Sequence, residues 1–208
     1  MVSVDDLLPR LMIYAPGCPE PLAAQALVDS AIDVCREALV VREVIDPFDI
    51  VAGTSEYLLD APTQQRIDLV LSVYIGQSPL TGSPDDVNPP APLVSGTPRL
   101  FYTRRVDDER VLVLNPEPNE DATGHIEVTL MPQRGATSLH DDLYEFWFEP
   151  VLVRARAMLA GVPGQPFSDY ELSARLMSYG RSLTSQARVQ ANYGRHRGQF
   201  RVTPRSFV

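Results

Sequence analysis

The chain has 208 residues, of which 44% are hydrophobic and 22% charged, with a formal net charge of −9. These values are close to the averages for soluble globular proteins, which excludes wholesale disorder and a fibrous repeat. The apolar runs are too short for a membrane span, and acidic residues and a proline interrupt the opening segment. We therefore expect no secretory signal, and synthesis in the cytoplasm.

Two N-terminal segments have helical character. Residues 4–14 predict a short helix or turn that ends at Pro16 and Gly17. Apolar residues then recur at three- and four-residue spacing over residues 22–39, and Pro19 and Pro21 stand where a first helical turn favours proline. We expect a helix with one apolar stripe there.

The middle of the chain has the two-residue period of strands. Residues 40–53 indicate a strand broken at Pro47, continued over 54–59. A third strand is predicted by strict alternation of Ile67, Leu69, Leu71, Val73 and Ile75. Three more are predicted over 99–105, 110–116 and 124–132, with a hairpin turn at 106–109. Together they indicate a small antiparallel sheet or sandwich.

A proline-rich stretch separates these strands. Residues 78–98 contain six prolines and two glycines in 21 positions, without hydrophobic periodicity. We expect a long surface loop that is either disordered in isolation or docked on another surface.

The helical period returns after Gly135. Ser138 is the predicted cap of a helix kinked at Pro150, and Ser168 with Asp169 should cap a last helix to about residue 192. The last helix has an apolar stripe formed by Leu172, Leu176, Tyr179, Leu183 and Ala187. Residues 194–208 have no amphipathic period and indicate an extended arm.

The predicted fold class is therefore α+β. It consists of a helical bundle, built from an N-terminal helix and two C-terminal helices, with an inserted small antiparallel β-sheet or sandwich and an extended C-terminal arm. The corresponding division assigns residues 1–39 and 136–193 to the bundle, 40–135 to the β insertion and 194–208 to the arm.

Charge is distributed very unevenly. Residues 1–171 hold 11 arginines against 27 acids, a net −16, whereas residues 172–208 hold seven arginines and no acid. All 18 basic residues are arginine, which suits bidentate contacts. The basic end could be a solvated helix face, or it could contact nucleic acid, an anionic membrane or an acidic protein. We favour protein, because the acidic body would repel a phosphate backbone.

The sequence offers little catalytic chemistry. It contains no nucleophile elbow, phosphate-binding loop, dinucleotide fingerprint or His-Glu-x-x-His helix. His140 with Asp141 and Asp142 could be drawn as a metal or acid–base site, but first-turn residues of a solvated helix are the preferred interpretation. Cys18 and Cys35 are expected to be plain thiols, since their spacing suits neither a disulfide framework nor zinc. We expect no catalysis, no metal and no cofactor.

An aromatic triplet also has two interpretations. Phe146, Trp147 and Phe148 could form an aromatic binding box. Phe146 and Trp147 lie on the predicted helix stripe, so core packing is the preferred interpretation.

Four segments together resemble one family, the head-to-tail adaptor (connector) proteins of tailed bacteriophages, especially short-tailed ones. They are VSVDDLLPRLMIYAPGCPEPLAAQALVDSAIDVCREAL (2–39), RIDLVLSVYIGQSPL (66–80), DDLYEFWFEPVLVRARAMLAGVPGQPFSD (141–169) and RGQFRVTPRSF (197–207). The resemblance is one of element order and phrases over almost the whole chain. The long proline-rich loop at 78–98 departs from a generic member.

The resemblance implies a structural virion protein of the phage neck. Adaptor subunits form a homo-oligomeric ring, a dodecamer under the twelve-fold portal protein, which joins the portal to a tail nozzle or tube protein and lets DNA pass through its lumen without specific binding. The C-terminal arm grips the portal in this family. Here that implies portal-binding roles for Arg195, Arg197, Phe200, Arg201, Val202, Arg205 and Phe207. The alternatives are a tail-tube or stopper component of the same neck, or a small DNA-binding protein with a basic arm.

Overall fold

The computed structural model describes residues 1–86, 95–107 and 109–193. Its helices are α1 (Val4–Met12), α2 (Glu20–Ala38), α3 (Asp141–Ala160) and α4 (Tyr170–Tyr193). Its strands are β1 (Val2–Ser3), β2 (Arg42–Ile50), β3 (Glu56–Leu59), β4 (Gln65–Ile75), β5 (Ser78–Pro79), β6 (Thr81–Asp86), β7 (Leu100–Val106), β8 (Glu109–Asn115), β9 (Ala122–Pro132) and β10 (Ser138–Leu139).

The strands form two four-stranded sheets and one small pair. The inner sheet has the order β2-β9-β4-β5 and is antiparallel. The outer sheet has the order β3-β8-β7-β6, in which β6 runs parallel to β7. Helix α2 packs on β9, while β4 contacts β6 and β8. The inner sheet therefore lies between the helices and the outer sheet.

The predicted fold class, a helical bundle with a small inserted sheet, is wrong. The protein is a mixed α/β structure whose two main sheets have four strands each, and they supply much of the buried core. Strands β2 and β9 pair across about 80 residues of sequence, as in Arg42 with Thr129. Single-strand patterns do not reveal such long-range pairing, so the sheets were underestimated. The division at residues 40 and 135 stays a prediction.

Bulges explain where the predicted strands differ from the observed ones. The alternation predicted for β4 is interrupted by register shifts between Ile67 and Leu69 and between Val70 and Ser72. Val70 is therefore fully buried while Leu69 is half-buried. Strand β2 continues past Pro47, where the prediction broke it, because a register shift accommodates the proline. The hairpin at 106–109 is confirmed, with Val106 opposite Glu109.

The proline-rich stretch is not wholly a loop, so this prediction is partly wrong. Its first part forms β5 and β6, and Thr81 and Gly82 pair with Leu100 and Phe101. A Cβ atom on Gly82 would lie 2.1 Å from the carbonyl oxygen of Phe101. Glycine permits this close approach of two backbones, a signal that composition alone did not convey. The central part, 87–94, lies outside the described residues.

The helices agree better with the sequence. The prediction for α2 is confirmed, and so is the kink in α3, where Trp147 has non-helical dihedral angles three residues before Pro150. Pro150 has no N–H to donate to the carbonyl of Phe146, which breaks the helical ladder there. The predicted cap of α3 is wrong. Ser138 belongs to β10, and the Nδ1 atom of His140 accepts from the N–H of Asp142 at 3.2 Å.

A buried guanidinium connects the three long helices. Arg154 of α3 is 3% exposed and donates two hydrogen bonds to the carboxylate of Glu37 in α2, one of them at 3.0 Å. Asp33, also in α2, lies 3.8 Å away. On the opposite side, a Cβ atom on Gly180 of α4 would lie 2.9 Å from Cγ of Arg154. Arg154, Glu37 and Asp33 form what we call the Arg154 cluster.

Two substitutions in this cluster are expected to have opposite effects. Glu37→Gln removes the carboxylate from a buried guanidinium and should lower the free energy of unfolding by about 1–2 kcal/mol at pH 7. For Asp33, burial raises the pKa more strongly than Arg154 lowers it. When the pKa of a group is higher in the folded than in the unfolded state, its favourable contribution to stability is present below the unfolded-state pKa. That contribution is lost as the pH rises through the folded-state pKa. Asp33→Asn should therefore leave the Tm at pH 7 unchanged or higher.

Thermal melts at pH 7 and pH 3 test this pair. Glu43→Gln is the matched control, because Glu43 is exposed on β2. Any increase in Tm caused by Asp33→Asn should vanish at pH 3, where the Asp33 carboxyl is protonated in both the folded and the unfolded state. This prediction would be contradicted if the Tm of Glu37→Gln equalled that of the wild type or exceeded that of Asp33→Asn.

Candidate interaction surfaces

The described residues that the sequence offered for catalysis or metal binding make structural contacts instead. Within residues 1–86, 95–107 and 109–193, no group of three or more His, Cys, Asp or Glu is arranged to hold a metal ion. His140 caps α3, with Asp142 Oδ2 at 3.7 Å from its Nδ1. The ring of His125 stacks on Tyr74, with centroids 4.5 Å apart. His196 lies outside the described residues.

The predicted portal-binding residues also lie outside the described part of the chain. These are Arg195, Arg197, Phe200, Arg201, Val202, Arg205 and Phe207. The last described residues lie near β2, because a guanidinium N–H of Arg42 donates to Oδ1 of Asn192 near the end of α4. The end of α4 is therefore beside the first residue of β2.

Helix α4 packs on α3 through small residues. Gly180, Thr184 and Ala187 are its buried positions, and the hydroxyl of Ser173 donates to the carbonyl of Ala157 at 2.7 Å. These four positions recur at three-, four- and seven-residue intervals and form one face of the helix. Small side chains there allow the two backbones to approach closely.

The large apolar residues of α4 lie on a different face, which we call the α4 seam: Leu172, Leu176, Tyr179 and Leu183. The predicted stripe joined them to Ala187 as one face, but only Ala187 is in the core. Leu172 is 37% and Tyr179 49% exposed, while Leu176 and Leu183 are half-buried. Side-chain size does not identify the inner face of α4, because the close contact between Gly180 and Arg154 leaves room only for small side chains there.

The seam continues into a groove beside the α1–α2 connection. Leu172 and Leu176 line a cavity of about 130 Å³ together with Tyr14, Phe167 and Leu159. The guanidinium of Arg156 lies 3.6 Å from the centroid of the Tyr14 ring. On its other side the seam borders an open concave surface that includes Arg175 and Tyr179. Arg156 and Arg175 flank this region, and the Tyr179 hydroxyl donates to Oε1 of Glu149 at 3.3 Å.

Most of the helical carboxylates lie on α1, α2 and α3, whereas α4 carries mainly arginines. Helices α1, α2 and α3 together contain ten carboxylates and four arginines, whereas α4 contains Glu171 and three exposed arginines, at positions 175, 181 and 188. The three arginines of the basic end that the structure describes therefore lie on a different helix from most of the helical carboxylates. Regions of opposite sign on one molecule favour contacts between unlike faces.

A second group of arginines lines a concave surface at one end of the sheets. Arg36, Arg66, Arg105 and Arg134 contribute to it, but Asp107 and Glu109 line the same surface. Arg105 also lies 4.0 Å from the carboxylate of Asp68. The mixture of signs makes this surface a poor match for a phosphate backbone.

The aromatic triplet is divided by the kink in α3. Trp147 packs against the core, as its place on the predicted stripe indicated. The prediction is wrong for Phe146, which is 48% exposed because the helix changes direction at Trp147. Phe148, which the predicted stripe left out, packs against the core in its place.

Comparison with known proteins does not extend these observations. The sequence matches no protein-family model, and no curated protein matches it. In the part of the chain that the structure describes, no helix is both long and apolar enough to cross a membrane.

Both cysteines are expected to be inert in the folded protein. Cys18 and Cys35 are free and buried, and burial raises the pKa of each thiol, most strongly that of Cys35. Because the thiolate is the reactive form, Ellman's reagent at pH 8 should titrate no thiol rapidly in native protein and two after unfolding.

Ser178→Cys is the positive control for this titration, since position 178 is exposed on α4. It should add one fast-reacting thiol. Rapid reaction of the native wild type would show that Cys18 or Cys35 is accessible.

Proposed function

We propose that the chain is a head-to-tail adaptor of a short-tailed bacteriophage. In this proposal it is a structural virion protein of the neck, without catalysis, and its copies form a ring beneath the portal that connects the portal to the tail. The four segments given above, which span residues 2–207, support the proposal by their resemblance to that family.

The observation that carries the proposal is the separation of unlike surfaces on one subunit. A closed ring of identical copies is a heterologous assembly, so each subunit needs two different, complementary faces. The exposed, arginine-bearing side of α4 and the acid-rich α1, α2 and α3 meet this requirement.

The acidic body is consistent with a channel for DNA. Residues 1–171 carry a net −16. A wall of this sign does not retain the phosphate backbone, so DNA can slide past it. The basic residues are then left to contact protein.

This assignment of charge predicts negligible DNA binding. In a gel shift with a double-stranded oligonucleotide at about 100 mM salt, the full chain should leave the DNA unshifted, because its net charge is −9. A matched control is the Asp141→Asn, Asp142→Asn, Glu145→Gln variant, which is less acidic. A shift by the wild type with a steep salt dependence would favour the alternative of a small DNA-binding protein.

Removal of residues 194–208 should leave a folded protein that no longer attaches to portals. The segment begins after the described end of α4, and in the proposal Phe200 and Phe207 supply the apolar contacts. Burying an aromatic side chain contributes roughly 1.5–3 kcal/mol, while arginine pairs contribute orientation more than affinity. Phe200→Ala should therefore weaken attachment more than Arg195→Ala does.

Co-sedimentation with purified portal rings measures this attachment, and far-UV circular dichroism checks the fold. Arg195→Ala serves as the matched control within the same segment. Normal co-sedimentation of the truncated protein would overturn the assignment of the arm. Attachment to the tail tube and not to the portal would favour a tail-tube or stopper component.

A further inference from the structure

A small cavity is formed where three helices meet. It has a volume of about 130 Å³ and lies between the ends of α1 and α3 and the first turns of α4. The buried part of its lining is apolar and consists of Leu11, Ala15, Leu159, Ala160 and Phe167. Arg156 is the one charged residue that the described part of the chain contributes to this lining. The cavity therefore combines an apolar interior with a single cation.

The guanidinium of Arg156 has an aromatic neighbour but no anion. The Tyr14 ring covers one of its faces, with the ring centroid 3.6 Å from Cζ. Nε of Arg156 is buried and has no hydrogen-bond acceptor, and the guanidinium forms no ion pair within residues 1–86, 95–107 and 109–193. A buried donor that lacks an acceptor is unfavourable, so the site is suited to a ligand that supplies one.

Other arginines of this protein show what is different at Arg156. At positions 104, 110 and 154, Nε is buried in the same way, but the terminal nitrogens of those side chains donate to oxygen atoms of neighbouring residues. Their charges are thus compensated inside the fold. Arg156 has the Tyr14 ring instead, which leaves its N–H groups for an external acceptor.

The geometry of the site defines the class of ligand. Because a ring covers one face of the guanidinium, its donors are approached in the plane of the group, around its edge. A carboxylate is planar and accepts two parallel N–H bonds at such an edge. Since a cavity of about 150 Å³ can hold a benzene ring, the cavity beside Arg156 has room for a branched chain of about four carbon atoms.

We propose that this cavity binds a small carboxylate that carries a branched apolar chain. The carboxylate accepts N–H bonds from Arg156, and the chain packs against Leu159 and Phe167. The site goes beyond the proposed function, because neither the ring nor the portal contact uses it.

Two ligands of the same shape test the proposal. Isovalerate is the probe, and its neutral amide, isovaleramide, is the matched control. Each is titrated into the full chain with ¹³C-labelled leucine methyl groups, and two-dimensional NMR follows the methyl signals. Signals of Leu11, Leu159 and Leu172 should shift and saturate with a Kd of about 1 mM for isovalerate. The amide should bind about tenfold more weakly, because it lacks the charge that Arg156 would pair with.

Matched arginine variants locate the binding charge. Arg156→Gln should weaken isovalerate binding by about tenfold or more and abolish the preference for the acid over the amide. Arg175→Gln should leave the Kd unchanged, because Arg175 is exposed on α4 and lines the neighbouring concave surface but not this cavity. Arg156→Lys keeps the charge without the Nε donor, so it should bind more weakly than the wild type while still preferring the acid.

Circular dichroism melts establish that the variants are folded, and Arg156→Lys provides the test if Arg156→Gln is not. The proposal would be overturned if isovalerate caused no saturable shift up to about 20 mM, or if the amide bound as tightly as the acid. Unchanged binding by a folded Arg156→Gln protein would overturn it as well. Because the titration uses the free chain, its outcome is independent of portal co-sedimentation, which tests the proposed function.

Discussion

Arg154 is the constraint on which the arrangement of the helices depends. A guanidinium that is 3% exposed must keep its carboxylate partner, so Glu37 fixes α2 beside α3. The same side chain fills the space under Gly180 so closely that no Cβ atom fits there without movement. Helix α4 can therefore approach only with its small residues inward. The larger seam residues therefore lie on a neighbouring face of α4 that is only partly covered.

A second buried arginine has the same role between the sheets. Arg110 on β8 is 3% exposed and donates to the backbone carbonyl of Asp68 on β4, and to Thr103 Oγ1 at 3.4 Å. The first of these bonds crosses from the outer sheet to the inner one. Burying a charge is unfavourable unless it is hydrogen-bonded, so this contact fixes how the two sheets lie on each other. Lysine could not make the forked contacts at either position.

The sequence predicted those parts of the fold whose signals are local. Helix α2 and the hairpin at 106–109 follow from spacing and turn residues, and the strand predicted over 124–132 lies within β9. The kink at Pro150 follows from the missing N–H.

The errors arose where tertiary contacts override a local pattern. Bulges shift the phase of β4 after Ile67, and Gly82 lets β6 join a sheet from within a proline-rich stretch. The α4 seam was found as a stripe, but its orientation depends on Arg154, a charged residue that no apolar pattern includes. The candidate arm residues lie beyond Tyr193, so their assignment stays a prediction.

The proposed ring would let many weak contacts act together. If the copies form that ring, each α4 is held at a fixed angle and distance from the next. Residues 194–208 follow α4 in the sequence, and the Arg42 contact to Asn192 places the end of α4 beside β2. Ring formation would then present the arms at regular intervals facing a portal with matching symmetry. Linked weak contacts bind far more tightly together than singly, because each later contact is intramolecular. A single arm of two phenylalanines and four arginines need bind only weakly for the ring to attach firmly.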